Sequence, residues 1–337
     1  MNKLPDEVQK LLEKENLEVV NVLQRADSPR RRFYSLETRR KTGGETLLLK
    51  IFARGDPGVV TAFYKEVGFL KLVTERDSPQ IGMYTPRFLK RGDGETPWYL
   101  RTCAQGSFLG DICYDFGIRD KYLGEEIGEE FGNFFFALSK FTSEISETSF
   151  FSTLSPHGFS WYLDDWKHYR ESSETVGSAV FEKLRQLLKL HRSLLDNSTK
   201  VLVHGDLYLK NVFWSNNIGL GNEKESPLSV IDWEILHLGN RCFDPVFIWM
   251  LGWKNSQWQE ELKSRVWESF EQEGSESEKE LSILWNIVRC SLALRFIRHA
   301  EIMLEILSSR EKEARHNAEQ ALSVYRKELE IALETLS

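Results

Sequence analysis

The chain has 337 residues, of which 41% are hydrophobic and 28% are charged, and its formal net charge is −7. That length can bury a large core and suggests two domains or lobes, and the composition is ordinary for a soluble globular protein. The four cysteines form no CxxC pair, which excludes a zinc site of that spacing and predicts reduced thiols. No apolar run is long enough to span a membrane, and the opening "MNKLPDEVQK" does not read as a leader, so we expect a cytoplasmic protein.

Charge is unevenly distributed along the chain. Residues 1–100 carry 18 Lys and Arg against 14 Asp and Glu, whereas the remaining residues carry 26 against 37. A basic first part joined to an acidic second part fits a polyanionic ligand beside a cationic one. Scattered solvated charge explains the same numbers equally well.

The predicted elements change from strands to helices along the chain. The first part is predicted to contain strands at 17–23, 32–38, 46–52, 87–91 and 98–103, with one helix at 59–75. The second part is predicted to contain helices at 121–142, 160–170, 178–195 and beyond 243, with short strands at 201–203, 211–214 and 228–231. Strands followed by helices predict an α+β protein, with an N-terminal lobe of residues 1–104 and a C-terminal lobe of residues 105–337.

The stretch "VLVHGDLYLKNVFW" interrupts an apolar strand with polar residues that include Asp206 and Asn211. A tight turn is one interpretation, because Gly, Asp and Asn all suit turns. A catalytic loop is the other. The strands at 211–214 and 228–231 are expected to be antiparallel neighbours, which would bring Asn211 close to Asp232. A carboxylate and a carboxamide oxygen suit magnesium, and Asp206 is left as a candidate base.

Two more charged residues lie within apolar patterns. Lys50 is the single charge in "TLLLKIF", and taken alone it is best explained as a lysine that reaches solvent from a sheet edge. Glu66 lies on the apolar stripe of its helix, where an unpaired carboxylate would be costly. Lys50 is its obvious partner. Together with the polar loop "HGDLYLKN" at 204–211, this pair indicates the phosphoryl-transfer apparatus of a protein-kinase-like fold.

"HGDLYLKN" followed by "VIDWE" resembles the aminoglycoside phosphotransferase and choline kinase family of small-molecule kinases. The segment "GNRCFD" at 239–244 resembles the same family. The resemblance implies a bilobal protein-kinase-like fold, with a small N-terminal sheet lobe that has one main helix and a larger, mostly helical C-terminal lobe. It also implies a kinase that uses ATP and Mg²⁺ to phosphorylate a hydroxyl of a small molecule.

The resemblance assigns a role to each residue of the phosphoryl-transfer apparatus. Asp206 would accept the proton of the acceptor hydroxyl or orient that hydroxyl. Asn211 and Asp232 would hold magnesium on the nucleotide phosphates. Lys50 would contact the α- and β-phosphates, and Glu66 would position Lys50.

Further roles concern the loop and the acceptor. The resemblance implies that His204 and Asp244 brace the catalytic loop by hydrogen bonds. Glu234 matches the "DWE" of the family and is equally well explained as an acceptor contact or as a solvated loop residue. Asp164 and Asp165 lie in an aromatic-rich helix, and carboxylates around a cleft attract cations. These residues predict an acceptor that bears an amine, such as an aminoglycoside or a choline-like alcohol, and a sugar or amino sugar is the alternative.

The nucleotide contacts depart from the family pattern in two places. The first-hairpin turn "RADSPRRRF" has no glycine, and in it Ser28, backbone amides and Arg30 are candidates to meet phosphate; a solvated basic turn is the alternative. The segment "YLRTCAQGSFLG" at 99–110 is the expected hinge between the lobes, and it lacks the acidic residue that is usual there. Adenine contacts are therefore expected from the backbone of Thr102 to Ala104. The choice between ATP and GTP therefore stays open.

Two other functions compete with a small-molecule kinase. A protein kinase is disfavoured because only eleven residues separate Asp232 from Asp244, too few for a peptide-docking activation loop. A pseudokinase or binding scaffold is disfavoured because every charged catalytic position is intact. We expect nucleotide and a small-molecule acceptor as ligands, no nucleic-acid or membrane partner, and a monomer or homodimer.

Overall fold

The structure is a computed structural model that describes residues 4, 6–28, 31–52, 57–93, 97–110, 116–118, 123–172, 175–215, 226–274, 276–307 and 312–337. At 24–28, 31–33, 171–172 and 273 it describes the backbone alone. The chain forms two compact units. Unit 1 comprises Met1–Gln105 and Ile218–Ile235, and unit 2 comprises Gly106–Asn217 and Leu236–Ser337.

The first elements in chain order are α1 (Asp6–Lys14), β1 (Leu17–Ser28), β2 (Arg31–Arg40), β3 (Thr46–Phe52), α2 (Pro57–Glu75), α3 (Pro79–Gly82), β4 (Phe88–Gly92) and β5 (Trp98–Thr102). They are followed by β6 (Ser107–Phe108), α4 (Glu125–Ile145), α5 (Phe159–Ser172), α6 (Ser178–Leu190), α7 (Arg192–Asn197), β7 (Lys200–Val203), β8 (Val212–Trp214), β9 (Leu228–Val230), β10 (His237–Asn240), α8 (Phe243–Leu251), α9 (Ser256–Glu273), α10 (Glu278–Ile306) and α11 (Lys312–Thr335). An antiparallel sheet with many helices confirms the predicted α+β class.

Unit 1 is built on a sheet with the strand order β1-β2-β3-β5-β4, in which all neighbours are antiparallel. Strand β3 lies at the centre, and its residues after Thr46 are all buried. One core cluster collects apolar side chains of the sheet and includes Leu36 and Leu49, both with no exposed surface. Helix α1 was not predicted, and it adds Val8 and Leu12 to this cluster. Burial of both faces explains why β3 is a continuous apolar run rather than an alternating one.

Helix α2 buries the stripe that its periodicity predicts. Phe63, Val67, Leu70 and Val73 are all buried. Phe69, on the same helix, stacks on Trp233 with 4.1 Å between the ring centroids. This contact fixes the chain just after β9 within unit 1.

Unit 2 holds most of the helices. Helix α4 buries a helical stripe that includes Phe131, Phe134, Leu138 and Phe141. The pairing of β6 with β8 begins just after Gly106, whose φ is +94°. A Cβ at this glycine would lie 2.1 Å from the carbonyl oxygen of Trp214, so any side chain would force the backbone apart.

One prediction about unit 2 was wrong, and one strand of unit 2 was not predicted. The single helix predicted at 178–195 breaks at His191 (φ −101°, ψ 15°) into α6 and α7. Leu188 and Leu195 are both buried and lie two helical turns apart, so the apolar spacing hides the break. Strand β10 was missed because "HLGN" has low strand propensity, and its pairing with β7 decides its conformation.

The described cysteines are unbridged, as the sequence predicted. Cys103, Cys242 and Cys290 are free thiols, and the latter two are buried. The aromatic segment of α5 is mostly core, because Tyr162 and Trp166 are buried. Among the described residues, none of the helices combines the length and the apolar character needed to cross a bilayer.

Candidate active site

Lys50 and Glu66 form a buried ion pair in unit 1. Lys50 lies opposite Tyr99 in the register of β3 with β5, and its Nζ donates to Oε2 of Glu66 at 2.9 Å. The side chains of Lys50 and Glu66 are 7% and 1% exposed, so each satisfies the other's buried charge. The predicted contact is confirmed, and the alternative of a lysine reaching solvent from a sheet edge is wrong.

Two further carboxylates approach the same ammonium. Nζ of Lys50 lies 2.6 Å from Oδ1 of Asp232 and 2.5 Å from Oε1 of Glu234. Burial by itself lowers the pKa of Lys50, but attraction to Asp232 and Glu66 outweighs burial and raises the pKa well above its ordinary value. Asp232 has φ +69°, a left-handed conformation that a non-glycine residue rarely adopts and that often marks a functional site.

Glu234, for which the sequence left an acceptor contact and a solvated loop residue open, lies against Lys50. Glu234 is about two-thirds buried against Lys50, with 30% of its side chain exposed. Burial raises the pKa of Glu234 to about 7, while Lys50 acts in the opposite direction. One oxygen each from Glu66, Asp232 and Glu234 lies within 4.8 Å of the others, so three carboxylates share one ammonium. Clustered carboxylate oxygens are the ligands that a hard divalent cation prefers.

Tyr99 is a member of this cluster that sequence reasoning missed. It has no exposed surface, and burial together with the nearby Glu66 carboxylate raises the pKa of its hydroxyl. The signal available in the sequence was the pairing of "TLLLKIF" with "WYLRT", which sets Tyr99 opposite Lys50 once the register is known.

Part of the predicted nucleotide hinge is already used by the sheet. The N–H of Thr102 donates to the carbonyl oxygen of Arg87 at 3.0 Å, and Oγ1 of Thr102 accepts the N–H of Arg87 at 2.9 Å. The amide of Thr102 is therefore engaged within unit 1, since β5 continues through this residue. Ala104 follows the strand and is half-buried. Arg30 and the side chain of Ser28 lie outside the described residues.

The polar loop of unit 2 is held by a buried carboxylate. Asp244, at the start of α8, accepts the N–H of His204 at 2.6 Å and the N–H of Gly205 at 3.0 Å. Burial outweighs these bonds and the nearby His204, and raises the pKa of Asp244. Gly205 has φ +78°, which lets both N–H groups reach one carboxylate. Nδ1 of His204 accepts the N–H of Asp206 at 3.2 Å, so His204 and Asp244 make the expected bracing contacts.

Asp206 and Asn211 are joined directly. Nδ2 of Asn211 donates to the backbone oxygen of Asp206 at 2.8 Å and to its Oδ2 at 3.2 Å. Asn211 ends a short 3-10 helix, Leu209–Asn211, rather than beginning the following strand as predicted. This tighter turn folds the amide back towards Asp206 and leaves the amide oxygen of Asn211 for another partner.

Arg295 of α10 is the second residue that sequence reasoning missed. Its Nη2 donates to Oδ1 of Asp206 at 3.2 Å, across 89 residues of sequence. The available signal was one arginine inside the apolar run "SLALRFI", the same kind of signal that identified Lys50.

The two candidate acceptor carboxylates on α5 have different surroundings. Asp164 is exposed, whereas Asp165 is partly buried. Burial raises the pKa of Asp165 to about 7, and the guanidinium of Arg295 opposes that rise. Asp165 is therefore within electrostatic range of the residue that contacts Asp206, and nothing in the described residues connects Asp164 with that loop.

We expect the stability of the protein to depend on pH through Asp165. Its pKa in the folded state is about 7, above the ordinary value of about 4, so the folded protein binds this proton more tightly than the unfolded chain. The resulting stabilisation is complete below the ordinary pKa and is lost as pH rises through about 7. Asp165→Asn should therefore lose less melting temperature between pH 5 and pH 8 than the wild type.

Asp164→Asn is the matched control, because it makes the same change at the exposed neighbour on the same helix. It should follow the wild-type dependence of melting temperature on pH. Identical pH dependence in Asp165→Asn and the wild type would contradict the prediction.

The geometry can be compared with known proteins. The model of the phosphotransferase enzyme family matches residues 30–280. No curated protein sequence matches the chain at a significant level. Among solved structures, the chain is similar to a mutant of aminoglycoside 2'-phosphotransferase-IIIa in complex with GDP, with a TM-score of 0.61, 12% identity, and coverage of 98% of this chain and 99% of that chain.

Two further solved structures give the same result. The ADP-bound aminoglycoside phosphotransferase APH(2'')-Ib has a TM-score of 0.58, 14% identity, and coverage of 97% of this chain and 99% of that chain. The macrolide 2'-phosphotransferase MphH from Brachybacterium faecium has a TM-score of 0.56, 17% identity, and coverage of 94% and 97%. These likenesses confirm the predicted fold class. The family model covers well over half of the sequence, and the chain therefore belongs to the phosphotransferase enzyme family.

Proposed function

We propose that this phosphotransferase moves the γ-phosphate of ATP, with Mg²⁺, to a hydroxyl of a small molecule that bears an amine. The observation that carries the proposal is the loop of unit 2, in which Asp206 is held on both carboxylate oxygens and the loop amides are anchored on Asp244. A fixed carboxylate suits a general base, because the base must be within hydrogen-bond reach of the proton that it removes.

The nucleotide role belongs in this proposal to the N-terminal lobe, residues 1–104, and the acceptor role to the C-terminal lobe, residues 105–337. Lys50 would contact the α- and β-phosphates, positioned by Glu66, whose bond to Lys50 supports that role. Backbone groups between Thr102 and Ala104 would contact the base. The solved relatives include complexes with GDP and with ADP, so GTP is the alternative donor.

Magnesium fits the donor atoms that these residues offer. Asp232 is one of three clustered carboxylates. The side-chain amide group of Asn211 donates both of its hydrogens to Asp206, which leaves the amide oxygen of Asn211 as a ligand. Hard oxygen donors with open positions are typical of magnesium held together with substrate phosphates. When bound, the cation would neutralise negative charge on the transferred phosphoryl group.

The amine on the acceptor is proposed from the carboxylates of unit 2. Asp165 lies within electrostatic range of Arg295, which contacts Asp206, and an acceptor ammonium near Asp165 would favour its ionised form. Asp164 is the weaker candidate because it is exposed, and Glu234 is better explained by its contact with Lys50. A sugar or amino sugar, the alternative that the sequence left open, is the second candidate acceptor.

The test is a coupled assay of ADP release over a panel of acceptors that includes choline, ethanolamine, kanamycin, glucosamine, glucose and erythromycin. We expect an amine-bearing acceptor to have the highest kcat/KM at low salt and to lose part of its advantage at high salt, since screening weakens attraction to carboxylates. A neutral compound that wins at every salt concentration would contradict the amine. If no compound raises ADP release above the rate with water, phosphorylation of small-molecule hydroxyls would itself be excluded for this panel.

A further inference from the structure

The guanidinium of Arg295 makes two hydrogen bonds to consecutive residues of the polar loop. Nη1 donates to the carbonyl oxygen of Gly205 at 2.8 Å, and Nη2 donates to Oδ1 of Asp206 at 3.2 Å. A planar fork of this kind fixes direction as well as distance, which a single ammonium cannot do. The contact therefore ties the backbone before Asp206 and the carboxylate of Asp206 to one rigid group.

Aromatic rings fix the position of the guanidinium. Its central carbon lies 5.5 Å from the ring centroid of Tyr208 and 5.6 Å from that of Phe247. These two rings pack edge to face with their centroids 5.1 Å apart. The side chain of Arg295 is 26% exposed. Cation–π attraction and restricted exposure both limit the positions that the fork can adopt.

The two carboxylate oxygens of Asp206 are held by residues from different parts of the chain. Arg295 holds Oδ1, and Asn211, five residues away, holds Oδ2. A pair that served stability alone would need only the charge contact, whereas this arrangement also fixes the rotation of the carboxylate. Orientation of a reacting group matters because a misplacement of about 1 Å can cost roughly 10²-fold in rate.

We propose that Arg295 is a positioning residue that orients the carboxylate of Asp206 through its paired bonds to Gly205 and Asp206. The inference rests on the proposed catalytic role of Asp206 and extends it to a residue of α10. Arg295 itself touches neither nucleotide nor acceptor in this proposal, so its loss should reduce kcat more than it changes KM for either substrate.

The test compares Arg295→Gln and Arg295→Lys with Arg298→Gln. Arg298 lies one turn further along α10, has 23% of its side chain exposed, and pairs with Glu301 and Glu305 at 3.5 Å. Turnover is measured by ADP release with kanamycin, choline or whichever panel compound is turned over best, and also with water as the acceptor. Nucleotide binding is measured with a fluorescent ATP analogue, and folding by circular dichroism.

We expect Arg295→Gln to lower kcat by about 10²-fold with nucleotide affinity retained. Arg295→Lys should recover only part of kcat, since an ammonium keeps the charge without the fork. Arg298→Gln should keep the wild-type kcat. In Arg295→Ala, added methylguanidinium should restore part of kcat, an effect that a merely structural arginine would not produce.

Each outcome either supports or overturns the positioning role of Arg295. Equal kcat in Arg295→Gln and Arg298→Gln would overturn the inference, and so would wild-type kcat in folded Arg295→Lys. If Arg295→Gln does not fold, Arg295→Lys decides the question. Failure of the proposed function has a different signature, namely that Asp206→Asn retains turnover whatever happens at Arg295.

Discussion

Asp206→Asn is expected to lower kcat by roughly 10²–10⁴-fold, the range of a positioned general base. Asparagine has nearly the same size as aspartate and can still accept a hydrogen bond from Arg295, but it cannot take a proton from an acceptor hydroxyl. Affinity for nucleotide should change little, because the role proposed for Asp206 concerns the acceptor. The measurements are ADP release with the best acceptor of the panel and binding of a fluorescent ATP analogue.

Glu260→Gln is the control for this experiment, because it removes one exposed carboxylate of α9 from the same unit. It should keep kcat near the wild-type value. If Asp206→Asn retained wild-type turnover, the polar loop would be a structural turn, which is the simpler of the two explanations that the sequence left open.

Lys50→Met is expected to abolish most nucleotide-dependent turnover and to destabilise the protein. Methionine fills a similar volume but leaves Glu66, Asp232 and Glu234 without the ammonium that contacts all three. Removing one partner of a buried ion pair typically costs about 3–5 kcal/mol, because the remaining charge is buried and unpaired. Urea denaturation measures the free energy of unfolding, and ADP release measures turnover.

Glu66→Gln should have a smaller effect on both quantities, since it keeps a polar contact with Lys50 while removing the charge. In the double variant Lys50→Met/Glu66→Gln, the loss of unfolding free energy should be less than the sum of the two single losses, because the two side chains share one interaction. Lys71→Met is the matched control on α2. Its pair with Glu75 has a separation of 3.4 Å at the surface and is worth roughly 0–1 kcal/mol. Additive losses in the double variant would contradict a coupled pair.

Local sequence was sufficient to predict those elements in which the pattern of apolar residues matches their burial in the structure. The stripe of α2 is periodic and the run of β3 is continuously apolar. Each contains one charged residue that contradicts the pattern, Glu66 in α2 and Lys50 in β3. A charge inside a buried element must find a partner, so the sequence alone was enough to predict their contact. The loop around Asp206 could be recognised for a similar reason, because its polar residues are contiguous and their spacing is fixed by the backbone.

Tertiary structure decided the contacts that no local pattern encodes. Arg295 reaches Asp206 from 89 residues away, and Glu234 turns towards Lys50 because its short segment belongs to unit 1. The amide of Thr102 is engaged because it donates to the carbonyl oxygen of Arg87, a residue 15 positions earlier in the chain. Helix α6 ends at Leu190 although the apolar spacing continues beyond it. Spacing along the chain therefore predicted which residues would carry the chemistry. The packing of distant elements determined which side chains contact them, since periodicity reports burial and not the partner that is met there.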